Sequence, residues 1–382
     1  MYYRNLRGRL ASAVILSVFT IWTIGLTLPV TAAGSLHLVG NPNISTFSIV
    51  AYDPDLREWG VAVQSRFLAV GAAVPFAAAE TGAVATQAWG NMSYGPEGLA
   101  LLAMGVDAQT AVQVLTGKDD QKLFRQLGIV DRNGSPAAYT GSECQAWAGH
   151  KTGQNYTVQG NILTGGEVVD AMATAFEQSK GPLADRLLAA LSAGQDAGGD
   201  SRGRQSAALL IVRRGGGYSG LSDRAVDLRV DDHPTPIKEL KRIYDLHLKT
   251  FGMLSYLYSV TEFEATGDPE AATACLDRCL VMAESLPDLE PVVLNAVAWS
   301  LAEKGRELER ALALATRAVK GAPDDANIVD TLATLHFLLG HHDKAIFLEK
   351  HAVELSDEPE FFQKKLDHWK NGGTDPGFDA LE

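Results

Sequence analysis

Residues 46–65 read "TFSIVAYDPDLREWGVAVQS" and decide the fold of the first half of the chain. Two runs of β-branched, aromatic and small apolar residues flank the connector "DPDLRE", whose composition is typical of a turn. The two runs therefore predict a β-hairpin. Centring the turn on this connector sets the predicted register, with the pairs Tyr52–Trp59, Val50–Val61 and Thr46–Ser65.

This register places polar groups around Thr46. Ser48 shares a face with Thr46 because side chains alternate along a strand, and Gln64 and Arg66 flank Ser65. A hydroxyl, an amide and a guanidinium are thus expected to converge on Thr46, as an activated hydroxyl nucleophile requires. The alternative is that Thr46 begins an ordinary strand with a polar end and that Arg66 reaches solvent. Spacing alone leaves both interpretations open.

The order of elements from residue 46 to 248 predicts an α+β fold with four layers, αββα. Further strands are predicted at 82–89, 125–141 (a hairpin around Asn133-Gly134), 155–163, 206–214 and 225–232. Helices are predicted in pairs at 95–105 with 107–117 and at 166–178 with 182–194, then singly at 236–248. Consecutive strands with helices arriving in pairs favour two stacked antiparallel sheets covered by helices on both outer faces.

The rest of the chain has a helical pattern with an internal period. Gly305, Ala311 and Ala318 are followed by Gly340, Ala345 and Ala352, and both alanine pairs recur at a spacing of 34. Gly267, Ala272 and Cys279 form a weaker upstream copy. This resembles the tetratricopeptide repeat over residues 254–357, followed by a tail at 358–382. The alternative is a plain helical bundle.

Composition and charge restrict the class of protein. A chain of 382 residues is expected to form more than one domain. Its net charge of −13 argues against nucleic-acid binding, which requires a basic face. Three cysteines are too few for a disulfide framework, so Cys275 and Cys279 are expected to pack in a helix, with Cys144 buried rather than reactive.

The N-terminus predicts export. Arg4, Arg7 and Arg9 precede the uncharged apolar run at 11–30, and small residues follow at 31–34. Residues 1–33 therefore indicate a cleaved signal peptide and a periplasmic or extracellular location. The alternative is an uncleaved membrane anchor, because the apolar run is close to the length of a spanning helix.

Several stretches between 46 and 248 resemble one bacterial protein family. These are "TFSIVAYDPDLREWGVAVQSRFLAVGAAVPF", "GAVATQAWGNMSYGPEGLALL", "RQLGIVDRNGSPAAYTGSECQAWAGH", "YTVQGNIL", "AGGDSRGRQSAALLIVR" and "GGGYSGLSDRAVDLRVDDHP". The chain is similar here to domain of unknown function 1028, in the N-terminal-nucleophile (Ntn) hydrolase superfamily. The resemblance implies the αββα fold and amide hydrolysis, with Thr46 freed as the first residue so that its own α-amine acts as base.

The chain departs from that family in one respect. Members without an export signal begin Met-Thr-Phe, whereas cleavage after Ala33 leaves residues 34–45 ahead of Thr46. A second cut between Ser45 and Thr46 is then required. "GVAVQSR" also resembles a segment of proteasome β-subunits, with Gln64 where the proteasomal aspartate stands and only Glu80 near the position of its lysine.

The remaining predicted site residue is Asn161, as an oxyanion donor or as a structural residue at a strand end. "DDH" at 231–233 is interpreted as a surface turn rather than a metal site. The sequence thus predicts an exported amide or peptide hydrolase that needs no cofactor or metal, with Thr46, Gln64, Ser65, Arg66 and Asn161 at its site. Its repeats are expected to bind a protein partner. The rival prediction is a non-catalytic binding or scaffold protein of the cell envelope.

Overall fold

The computed structural model describes residues 46–373. The predicted signal peptide, the segment 34–45 and the end of the predicted tail lie outside these residues. None of the described helices is long and apolar enough to span a bilayer.

The first half of the described chain alternates strands with pairs of helices. Its strands are β1 (Thr46–Asp53), β2 (Glu58–Ser65), β3 (Pro75–Ala78), β4 (Gly82–Ala88), β5 (Arg125–Asp131), β6 (Pro136–Thr140), β7 (Gly149–Gly153), β8 (Tyr156–Asn161), β9 (Ser206–Val212) and β10 (Arg224–Val230). Its helices are α1 (Tyr94–Ala103), α2 (Ala108–Gly117), α3 (Glu167–Gln178), α4 (Leu183–Asp196) and α5 (Pro236–His247). The fold class is α+β, as the sequence predicts.

The predicted hairpin is confirmed residue by residue. β1 and β2 are antiparallel, and their register contains the pairs Thr46–Ser65, Val50–Val61 and Tyr52–Trp59. The tip of the hairpin is apolar at Leu56, which is buried in the core of the helical second half.

The strands form two antiparallel sheets. One has six strands in the order β10-β9-β2-β1-β8-β7, and the other has four in the order β3-β4-β5-β6. β3 and β7 were not predicted, because "PFAA" is very short and "GHKTG" has no apolar alternation.

The two sheets pack face to face, and helices cover their outer faces. Val50, Val61 and Val130 belong to the apolar layer between the sheets. Alternate residues of the same strands, such as Ile49 and Ala62, contact α3 and α4 on the outside of the six-stranded sheet. The outer face of the four-stranded sheet packs on α1 and α2. Strands buried on both faces explain the nearly continuous apolar runs in the sequence.

The second half is helical. Its helices are α6 (Met253–Ala265), α7 (Pro269–Ser285), α8 (Pro291–Glu303), α9 (Leu308–Gly321), α10 (Ala326–Leu338), α11 (His342–Leu355) and α12 (Glu360–Lys370). α12 lies in the segment predicted as a tail, where Phe362, Leu366 and Trp369 are buried.

The small residues of the predicted period lie at equivalent places in successive helix pairs. Ala311 and Ala318 on α9, and Ala345 and Ala352 on α11, are fully buried. Gly305 and Gly340 begin the turns before these helices with φ values of 60° and 80°, which favour glycine. The period therefore marks a repeated pair of antiparallel helices.

A buried arginine, Arg213, joins the two halves. Arg213, just after β9, contacts Glu58 on β2, and both side chains are almost fully buried. Arg213 also donates to Ser259 Oγ at 2.8 Å and Ser255 Oγ at 2.7 Å, and its guanidinium lies 3.8 Å from the ring centre of Tyr256. Because these three residues belong to α6, the guanidinium links α6 to the six-stranded sheet. A π-helical turn, Leu248–Gly252, connects α5 to α6 directly.

Candidate functional site around Thr46

Thr46 is the first residue of β1, which lies between β2 and β8 in the six-stranded sheet. Ser65 is its partner on one side and Asn161 its partner on the other. Thr46 Oγ1 donates to Ser65 Oγ at 3.1 Å, and all three residues are buried. The structure therefore brings together three of the predicted site residues on the inner face of the sheet.

Ser48, two residues further along β1, begins a network that crosses between the sheets. Its Oγ donates to Gln87 Oε1 on β4 at 2.6 Å and accepts from Gln159 Nε2 on β8 at 2.6 Å. Gln87 Nε2 donates to Gln126 Oε1 on β5 at 2.8 Å. We name this group the inter-sheet cluster, which consists of Thr46, Ser48, Ser65, Gln87, Gln126, Gln159 and Asn161.

Two amides hold the backbone of Thr46 in place. Gln87 Nε2 donates to Thr46 O at 3.2 Å, and Asn161 Nδ2 approaches the same oxygen at 3.5 Å. Asn161 Nδ2 also donates to Gln126 Oε1 at 3.0 Å. The amide of Asn161 is thus engaged in fixing the start of β1, which favours the structural interpretation of this residue.

No side chain of the inter-sheet cluster is ionisable, since all its members carry hydroxyls or carboxamides. One imidazole is connected to the cluster through Thr140, whose Oγ1 accepts from Gln126 Nε2 at 3.0 Å and lies 2.8 Å from His150 Nδ1. Burial lowers the pKa of His150. No side chain of the cluster can therefore accept the proton of the Thr46 hydroxyl.

Gln64 does not join this site, and the predicted convergence is corrected here. Adjacent residues of a strand point to opposite faces, so Gln64 lies on the face of Phe47 and Ala62, which pack on the helices. Its side chain is fully buried, and neither amide atom has a hydrogen-bond partner among the described residues. The prediction failed because Gln64 is next to Ser65 on the strand, and neighbouring residues of a strand point to opposite faces of the sheet.

Arg66 lies just beyond the end of β2 and is exposed. Its backbone N–H donates to Asp200 Oδ2 at 2.8 Å, and Asp200 also accepts from the backbone N–H of Arg202 at 2.9 Å. Within the described residues, the Arg66 guanidinium has no acidic partner. The buried carboxylate of Asp200 thus fixes the backbone at the rim and leaves the Arg66 side chain extended towards solvent.

The other rim of the site follows β4. Trp89 is 43% exposed, whereas Tyr94 is buried and donates its hydroxyl to Asp119 at 2.8 Å. Arg125 contacts both the carbonyl of Trp89 and Asp119. Burial raises the pKa of Asp119, but donors led by Arg125 outweigh it and hold that pKa well below its ordinary value. An ionised Asp119 and Arg125 therefore anchor the loop that carries Trp89.

Glu80 and the three cysteines are the other residues that the sequence analysis considered. Glu80 lies in the turn between β3 and β4, at the opposite end of β4 from Gln87. Cys275 and Cys279 are buried and unbridged, as predicted. Cys144 is only partly buried, and burial raises the pKa of its thiol. Among residues 46–373, no group of three or more potential ligands is arranged to hold a metal ion.

Sequence reasoning missed the three glutamines that cross between the sheets. Gln87, Gln126 and Gln159 each occupy the inward parity of an apolar strand, one or two positions from its end at the Thr46 side. A glutamine at a buried parity is the signal that could have found them. The sequence does not show that these glutamines meet, because their contact depends on how the two sheets pack.

Comparison with known proteins places the two-sheet domain in context. The model of a family of unknown function, DUF1028, matches residues 46–240. A protein from Silicibacter pomeroyi, whose crystal structure carries the same family model, is 34% identical with a TM-score of 0.51. The match covers 56% of this chain and 90% of that chain. No curated protein matches significantly.

Proposed function

This chain belongs to the DUF1028 family of unknown function, and from the geometry at Thr46 we propose that it is an Ntn-type hydrolase of an amide or peptide bond. The observation that carries the proposal is the position of one hydroxyl. Thr46 begins the central strand of a two-sheet sandwich, and its Oγ1 lies 3.1 Å from Ser65 Oγ. The helix–sheet–sheet–helix layering is the arrangement expected of an Ntn hydrolase.

The proposed mechanism begins with a cut between Ser45 and Thr46. The freed α-amine of Thr46 takes the proton from its own hydroxyl, since an amine of this type has a pKa near 8. Thr46 Oγ1 then attacks the carbonyl carbon of the substrate amide, and the amine passes its proton to the leaving nitrogen. Water hydrolyses the resulting ester and restores the hydroxyl.

The surrounding residues have different proposed roles. Ser65 orients the Thr46 hydroxyl, while Asn161 and Gln87 hold the carbonyl of Thr46 and so position the residue. Because no member of the inter-sheet cluster is ionisable, the α-amine has no competing base within it. Arg66 acts on the substrate from the rim rather than on the nucleophile.

The helical second half is proposed to be a tetratricopeptide-like module that binds a protein partner or presents substrate. The recurring helix pairs support this, as stacked pairs of this kind form extended binding surfaces. Export to the periplasm or cell exterior is part of the same proposal and rests on residues 1–33.

A non-catalytic envelope protein is the second candidate, and one observation favours it. Thr46 has no exposed surface in the uncut chain. An uncut chain is therefore expected to be inactive, and a protein that is never cut would retain only its binding functions.

The test is the intact mass of the exported protein together with amide hydrolysis. The hydrolase proposal expects a chain that begins at Thr46, and it expects Thr46→Ala to abolish activity while Thr46→Ser retains part of it. A chain that begins near residue 34 and hydrolyses no amide would favour the scaffold. A chain that begins near residue 34 and is fully active would overturn the proposed mechanism.

A further inference from the structure

The end of the sandwich that holds Thr46 carries exposed apolar side chains. Trp89, Met92 and Phe124 are 43%, 41% and 48% exposed, respectively. Trp89 and Phe124 belong to neighbouring segments, because the backbone N–H of Trp89 donates to the carbonyl of Phe124 at 3.2 Å. We name these three residues the apolar rim.

The apolar rim lies within reach of the reacting hydroxyl. Gln87, which contacts Thr46 O, precedes Trp89 by two residues, and Gln126, which contacts Asn161, follows Phe124 by two residues. Two residues of extended chain span about 7 Å at most. Trp89 and Phe124 therefore lie at the same end of the sandwich as Thr46, close in sequence to Gln87, which contacts Thr46, and to Gln126, which contacts Asn161.

The apolar rim is held in a fixed position. Arg125, which is 8% exposed, contacts the carbonyl of Trp89 and donates to Asp119 at 3.0 Å. Asn91 also donates to Asp119, at 3.1 Å. Exposed apolar side chains on an anchored loop are preorganised for contact, which lowers the entropy cost of binding.

The opposite flank of Thr46 has a different chemistry. Arg66 is one residue beyond Ser65, on the side of the six-stranded sheet, and its exposed guanidinium has no acidic partner among residues 46–373. A negatively charged group is thus favoured near Arg66.

We infer that the site takes an amide with an extended apolar group on one flank and a carboxylate on the other, as in an N-acyl amino acid with a long acyl chain. The apolar group contacts Trp89 and Phe124, and the carboxylate pairs with Arg66. This inference names the substrate class and rests on the proposed function. Burying several methylene groups against an aromatic side chain supplies the preference for a long acyl chain.

The test compares four amides that differ in one feature at a time: N-decanoylglycine, N-decanoylglycinamide, N-acetylglycine and N-acetylglycinamide. The protein is the chain that begins at Thr46, made with an initiator methionine that is removed. We expect N-decanoylglycine to exceed both N-acetylglycine and N-decanoylglycinamide in kcat/KM by at least about tenfold.

Two variants separate the flanks. Trp89→Ala is expected to abolish the preference for the long acyl chain and to keep the preference for the carboxylate. Arg66→Gln is expected to do the reverse. The matched controls are Leu221→Ala, at an apolar residue that is 90% exposed, and Arg242→Gln, at an exposed arginine of α5. Both controls are expected to keep both preferences.

Binding measurements distinguish this inference from the proposed function. In the Thr46→Ala chain, calorimetry with the same four compounds reports recognition without chemistry. Selective binding of N-decanoylglycine supports the inference even if no amide is ever hydrolysed, and the proposed function then fails alone. Equal binding of all four compounds overturns the inference, as does hydrolysis of all four at similar rates.

Discussion

This molecule contains two clusters of buried polar side chains, and the two clusters differ in the kind of partner that each side chain has. The inter-sheet cluster is uncharged, and its hydroxyls and carboxamides hydrogen-bond to one another between the two sheets. The second cluster lies among α10, α11 and α12 and contains Asp330, Glu349 and Lys365. Lys365 Nζ donates to Asp330 Oδ1 at 2.6 Å and to Thr334 Oγ1 at 2.5 Å.

The difference concerns protons. A cluster of amides and hydroxyls stays in one protonation state at any pH that the fold tolerates, so it can hold Thr46 in place without taking up its proton. The second cluster contains the carboxyl groups of Asp330 and Glu349 and the ammonium group of Lys365. Because these groups are buried, their packing affects their protonation. Burial raises the pKa of Glu349 to about 9, with a further contribution from Asp330 that Lys365 opposes. Substitutions at Lys365, Glu349 and Gln87 test this contrast, and a substitution at Gln64 tests the opposite face of β2, in order from the largest expected effect to the smallest.

The largest effect on stability at neutral pH is expected from Lys365→Met. The substitution leaves Asp330 as a buried carboxylate without its partner, and breaking a buried pair in this way costs about 3–5 kcal/mol. Denaturant unfolding measures the loss. Lys364→Met, at the exposed neighbour on α12, is the control and should change little. Equal stability of the two variants would show that the buried pair does not hold α12.

Glu349→Gln is expected to change how stability depends on pH. Between the ordinary carboxyl pKa of 4.5 and about 9, the folded chain holds one proton more than the unfolded chain at this residue. The free energy of unfolding therefore falls as pH rises through this window, by up to about 1.4 kcal/mol per pH unit. The variant should lack this slope.

The measurement is the difference between wild type and Glu349→Gln in urea unfolding at a series of pH values. The free energies of unfolding of the two proteins should converge at acid pH, where Glu349 is protonated in both the folded and the unfolded state. As pH rises, the variant should become more stable relative to the wild type. A difference that is constant across the window would contradict the raised pKa of Glu349.

Gln87→Leu is expected to cost about 1–3 kcal/mol of stability, because it removes one of the two donors to Gln126 Oε1 and to Thr46 O and leaves the Ser48 hydroxyl without its acceptor. Loss of the donor to Thr46 O should also lower kcat for amide hydrolysis more than it raises KM, since it displaces the nucleophile. Gln109→Leu, at an exposed glutamine of α2, is the control. Normal kcat in Gln87→Leu would remove Gln87 from the set of positioning residues.

Gln64→Met tests the other face of β2 and has the smallest expected effect. The Gln64 amide is buried without a hydrogen-bond partner, so an apolar side chain of similar size should stabilise the fold by about 1 kcal/mol. Activity should be unchanged, because the side chain faces the helices and not Thr46. Thermal unfolding and amide hydrolysis measure the two outcomes. A loss of activity without a loss of stability would show that Gln64 contributes to the site.

Much of the fold could be predicted because it is encoded locally. The turn at "DPDLRE" sets the register that pairs Thr46 with Ser65, and glycine spacing marks the helix pairs of the second half. β7 was missed because it is held by pairing with β8 rather than by its own composition. Local sequence patterns do not predict a strand that forms only because it pairs with another strand.

The candidate site was predicted less completely for a related reason. Ser65 and Asn161 could be named from strand ends, but Gln87 contacts Thr46 from the other sheet, and Gln126 contacts Gln87 and Asn161. Their contribution depends on how two sheets stack, which no short pattern encodes. Gln64 was misplaced by ignoring strand parity, so that error was avoidable from the sequence alone.

The central claim is that the hydroxyl of Thr46 becomes a nucleophile once its amine is free. The most direct measurement treats the exported protein with a β-lactone, which acylates nucleophilic hydroxyls, and locates the adduct by tandem mass spectrometry. We expect one adduct per chain on Thr46, in a chain that begins at that residue, and no adduct in Thr46→Ala. An adduct on Ser65 or another residue, or active protein that still carries Ser45 before Thr46, would contradict the account.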